Sequence, residues 1–210
     1  NLVDWLNPGR IEPRRPPFVT TLAFSESSPV SGQHTDQVTI EAGLADDEGT
    51  AVEGQTLVLE LSTASGVLET ATATTNVAGV AHFTLGLDEM PGEYGLRVSF
   101  AGSDTLLGSV ADQSFTVVKE ATATVLSARM KGARTDALVA TVTEDDGPAV
   151  EGRPVLFYAD GQLLGQAVTS STGVATLAVP AKYGTKKTTY TATFAGDSAY
   201  ETSSGELAAR

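Results

Sequence analysis

The chain has 210 residues, 41% of them apolar, with 21 Gly, 9 Pro, no Cys and a formal charge of −13. That length fits one large or two ordinary domains, and the lack of Cys excludes disulfides, thiolate metal sites and a Cys nucleophile. The acidic balance argues against nucleic acid and anionic lipid as partners, and with no run of about eighteen apolar residues and no signal-like start, neither membrane insertion nor an export signal is expected.

Residues 1–17, NLVDWLNPGRIEPRRPP, read as a tail or a linker from an upstream domain. Leu2, Val3, Trp5 and Leu6 form an apolar tip that is costly to leave in water, and the proline-rich run after it is a stiff spacer. The tip is expected to pack on the first domain, on a neighbouring chain or on an upstream domain of a longer parent. A first residue Asn1 in place of Met fits a processed product or a fragment.

Residues 18–118 are expected to form an acidic domain, with fourteen Asp or Glu against the single Arg97. Val38, Ile40, Ala42 and Leu44 alternate with polar or small residues, as do Leu57, Leu59 and Leu61. A period of two lines up one buried face of an antiparallel sheet. Turn clusters such as ADDEG, STASG, NVAG and FAGSD place strands near 19–24, 37–44, 55–61, 67–75, 79–85, 93–100 and 108–117. His34 and His82 stand alone, without the spacing of a zinc site. No G-x-S-x-G elbow accompanies them, so no catalytic residues are expected.

Residues 119–210 repeat this plan, with strands near 121–127, 137–143, 153–159, 162–170, 173–179, 187–195 and 203–208. The hexapeptide GTAVEG at 49–54 returns as GPAVEG at 147–152. TTNVAGVAHFTL (74–85) matches TSSTGVATLAV (169–179), and LRVSFAGSDTLLGS (96–109) matches YTATFAGDSAYETS (190–203). Two domains of one fold follow, each with enough short strands for a sandwich of two packed sheets. VVKEATAT at 117–124 leaves almost no linker between them. Tyr190, Ala192 and Phe194 share an inward face, whereas Tyr158 and Tyr183 are expected at the surface, Tyr183 in a basic hairpin tip with Lys182, Lys186 and Lys187.

GPAVEGRPVLFYADGQLLGQAVTSSTGVATLAVPA followed by YTATFAGDSAYETSS resembles a bacterial immunoglobulin-like repeat, and residues 18–118 resemble it more weakly. The resemblance implies an all-β chain of two tandem immunoglobulin-like sandwiches, of the kind strung along surface adhesins and attached to secreted enzymes. It also implies a secreted or cell-surface protein in which the repeats space, stiffen or present another domain.

The carboxylates are the remaining chemistry. Glu144, Asp145 and Asp146 fill the turn after the second strand of the second domain, and in a sandwich the loop holding Asp197 lies at the same pole. Calcium takes six to eight hard oxygens, so Glu144, Asp145, Asp146 and Asp197 are candidate calcium ligands at the hinge around Glu120. The plain alternatives are solvated turns or ion pairs with Arg153 or Lys119. The function expected is a non-catalytic spacer and presentation segment. The alternatives are an adhesin-type module recognising a protein or glycan, and accessory domains of a secreted hydrolase.

Overall fold

The computed structural model describes residues 17–184 and 187–209. The apolar tip around Trp5 and Lys186 of the basic loop therefore lie outside the described residues. The chain is all-β, as the period-two alternation predicts. Its strands are β1 (Thr20–Phe24), β2 (Ser31–Gln33), β3 (Gln37–Asp46), β4 (Thr56–Thr63), β5 (Gly66–Thr74), β6 (Val80–Gly86), β7 (Gly92–Phe100), β8 (Ser109–Val118), β9 (Thr122–Lys131), β10 (Arg134–Glu144), β11 (Pro154–Ala159), β12 (Gln162–Val168), β13 (Val174–Ala178), β14 (Thr188–Phe194) and β15 (Ser203–Ala209).

Two elements come in addition to those expected. One is the three-residue strand β2. The other is a single helical turn, α1 (Ala181–Gly184), where the sequence suggests a plain hairpin tip. Pro180 opens that turn with its φ already set for helix, and its carbonyl accepts from the Tyr183 and Gly184 amides at 3.0 and 3.3 Å. Tyr183 is consequently half-buried against the core and not displayed. The Tyr190 hydroxyl donates to the Tyr183 carbonyl at 3.0 Å and ties α1 down.

Among the described residues four sheets form, with strand orders β1-β3-β6, β2-β8-β7-β4-β5, β9-β10-β13 and β12-β11-β14-β15. Antiparallel registers such as Ile40↔Phe83, Leu59↔Val98, Leu126↔Ala140 and Phe157↔Ala192 bring the apolar faces together. The chain divides into two compact units. One holds the segments up to Val30, Gln37–Gly86 and Glu93–Thr116; the other holds Ser31–Asp36, Leu87–Gly92 and Val117 onward. In the first, Ile40, Leu44, Leu57, Leu59, Leu61, Phe83, Leu85, Val98 and Phe115 are buried. In the second, Leu138, Ala140 and Val142 of one sheet meet Val155, Phe157, Tyr190 and Phe194 of the other in a continuous core.

The repeated hexapeptide closes the same backbone frame in both units. The amides of Asp46 and Glu144 donate to Thr50 and Pro148, those of Val52 and Val150 to Leu44 and Val142, and those of Gly54 and Gly152 to Thr75 and Thr169, all between 2.8 and 3.1 Å. Beneath each turn runs a glycine, Gly79 or Gly173, with φ of 74° and 71°. A Cβ at Gly79 would sit 2.6 Å from the Leu44 carbonyl oxygen, and one at Gly173 would clash with the equivalent Val142 oxygen. Only glycine fits both the backbone and the space.

Candidate functional site

Glu120 stands two residues before β9, at the entry to the second unit. Its amide donates to the Ala199 carbonyl at 2.9 Å and its carbonyl accepts from the Glu201 amide at 2.8 Å, an isolated parallel bridge to Tyr200. Phe18 makes the matching pair of bonds, to Thr105 and from Leu107, both 2.8 Å, in a parallel bridge to Leu106. The same backbone position thus carries a phenyl ring in one unit and a carboxylate in the other. Phe18 is 46% exposed, whereas Glu120 is 0% exposed.

Segment Ser31–Asp36 lies against this carboxylate within the second unit. The Ala121 amide donates to Gln33 Oε1 at 2.8 Å. The Thr35 amide donates to Leu87, and the Leu87 amide donates back to Asp36, both at 2.8 Å. This pairing fixes Asp36, while the turn that follows β10 brings Asp146, with the Asp145 amide donating to the Ala121 carbonyl at 3.1 Å. One carboxylate oxygen from each of Asp36, Glu120 and Asp146 lies within 4.8 Å of the other two. Glu120 is buried, Asp36 half-buried and Asp146 exposed.

The Glu120 carboxylate is poorly satisfied. Its Oε2 has the Thr35 hydroxyl at 3.5 Å, too long for a strong bond, and Oε1 is buried with no hydrogen-bond partner. Burial, and then the charges of Asp36, Glu144, Asp145 and Asp146, push its pKa up from 4.5 to about 7. Burial raises Asp36 as well, with Asp146 and Asp145 adding to the shift.

Of the four carboxylates suggested by the sequence, Asp146 belongs to this converging group and Asp145 acts on it through charge. Glu144 is buried beside it and accepts the Tyr200 hydroxyl at 3.2 Å. That bond, after burial and the Glu144 charge, contributes to raising the Tyr200 pKa. Asp197 is engaged elsewhere. Its Oδ1 accepts the amides of Ala199 and Tyr200 at 2.8 and 3.0 Å, and its Oδ2 pairs with Arg153 at 3.1 Å. The Arg153 guanidinium also lies over the Tyr200 ring, 5.2 Å from its centroid.

Sequence reasoning leaves Asp36 and Glu120 out of the ligand set. The signal available was in the repeat: a carboxylate at an entry position where the twin unit has Phe18. The histidines have other contacts. His82 Nδ1 lies 3.2 Å from Glu41 at an exposed position, and His34 Nδ1 lies 2.9 Å from the Glu89 carbonyl, with its ring edge-on to Tyr200.

No family model and no curated protein matches the chain. Among solved structures, it is similar to a tetra-tandem repeat in the extending region of a large adhesion protein, at 14% identity and a TM-score of 0.43, covering 91% of this chain and 49% of that one. The native α2-macroglobulin of Escherichia coli matches at 14% identity and a TM-score of 0.39, covering 94% of this chain and 15% of that one. A Salmonella α2-macroglobulin reacted with methylamine matches at 14% identity and a TM-score of 0.39, over 92% of this chain and 15% of that one. The chain thus spans half or less of each of these structures.

Proposed function

We propose that the chain is a non-catalytic spacer and presentation segment of a secreted or cell-surface bacterial protein, attached to an upstream domain of a longer parent chain. The observation that supports this reading is the duplicated backbone frame. The stretches the two units share in sequence are those that close the matching turns and position Gly79 and Gly173. Sequence similarity is spent on scaffold. Side chains of the kind that carry chemistry serve the scaffold as well: Asp197 holds its own turn and Arg153, and His34 holds the Glu89 carbonyl.

The test is a screen of the purified chain against glycan arrays and immobilised extracellular proteins. A spacer gives no saturable binding. A ligand that binds saturably, and is displaced by its own soluble form, would move the chain to the adhesin-type recognition class instead.

A further inference from the structure

We infer that Asp36, Glu120 and Asp146 bind one hard divalent cation of calcium size within the second unit. This goes beyond the spacer reading, which stands or falls independently of it. Three observations carry the inference. The first is convergence: three carboxylate oxygens from three separate segments lie within 4.8 Å of one another, a span close to twice a calcium–oxygen distance of about 2.3–2.6 Å.

The second is the state of Glu120, which is wholly buried with Oε1 unpartnered. An ionised carboxylate taken out of water is costly unless a counter-charge or hydrogen bonds meet it. Arg153 is paired with Asp197, and the side chains that converge on Glu120 are the carboxylates of Asp36 and Asp146. A bound divalent cation supplies the missing partner.

The third is the twin position. Phe18 makes the same parallel bridge in the first unit without any carboxylate, so the backbone frame does not require an acid there. Glu120 is a feature added to the frame.

The donor set selects the ion. All three ligands are carboxylate oxygens, without the His or Cys that zinc favours. Magnesium is ordinarily held by one or two carboxylates with its waters retained, whereas calcium accepts several carboxylates in irregular geometry. Water reaches the site beside the exposed Asp146 and completes the shell.

The experiment is a calorimetric titration of calcium into the full 210-residue chain after chelation, with thermal melts in calcium and in chelator. One saturable site is expected, with Kd of about 10⁻⁵ to 10⁻³ M, and a higher Tm in calcium. Asp146→Asn, at an exposed turn, is expected to keep the fold and weaken binding at least about tenfold. Glu120→Gln is expected to abolish the calcium response while melting higher than the parent chain in chelator, a pair of effects that a purely structural glutamate would not give. Asp47→Asn, in the matching turn of the first unit, leaves binding unchanged. The inference is overturned by superposed melts without saturable heat, or by binding that survives both Asp146→Asn and Glu120→Gln, which marks diffuse attraction to an acidic surface. Magnesium binding as tightly as calcium would overturn the choice of ion.

Discussion

Glu120 and Gly173 show how much a single position decides. A carboxyl with its pKa raised to about 7 from 4.5 holds its proton more tightly in the folded chain than in the unfolded one. Between those two values the folded state binds more protons, so without metal the stability falls as pH rises from about 4.5 to 7 and levels off above. Melts in chelator across that window are expected to show the decline, and Glu120→Gln to flatten it. At Gly173 the left-handed backbone and the Val142 carbonyl oxygen exclude a methyl group. Gly173→Ala is expected to cost about 2 kcal/mol or more, read from denaturant unfolding.

At the scale of elements, the strands were legible because burial alternates with period two. In β3 the side chains of Ile40, Ala42 and Leu44 are buried, and in β10 those of Leu138, Ala140 and Val142. α1 was not legible, since four residues are too few to show a helical period and its order comes from tertiary anchoring. Tyr190→Phe removes the hydroxyl that holds the Tyr183 carbonyl. It is expected to cost about 1 kcal/mol and to speed amide exchange at Tyr183 and Gly184, with the β14 amides unaffected. β2 escaped notice for a similar reason: three residues carry no periodicity, and only the strand's pairing beside β8 defines it.

Across the whole molecule, the internal repeat announced two copies of one frame, but the converging carboxylates were only half legible. Asp146 lies in an obvious acidic turn. Asp36 and Glu120 reach it from positions 110 and 26 residues earlier, a proximity that tertiary pairing creates and no local pattern encodes. The charge is likewise a property of the whole. Residues 18–118 hold fourteen acidic side chains against Arg97 alone, so in chelator added sodium chloride is expected to raise the Tm by screening their mutual repulsion. The parallel bridges have a mechanical consequence. In each unit the entering strand is bonded beside the segment that leads to the exit, through Phe18 with Leu106 and through Glu120 with Tyr200. Tension drawn along the chain therefore loads both hydrogen bonds of a bridge in shear, and the pair must rupture together before the terminal strands can slide apart.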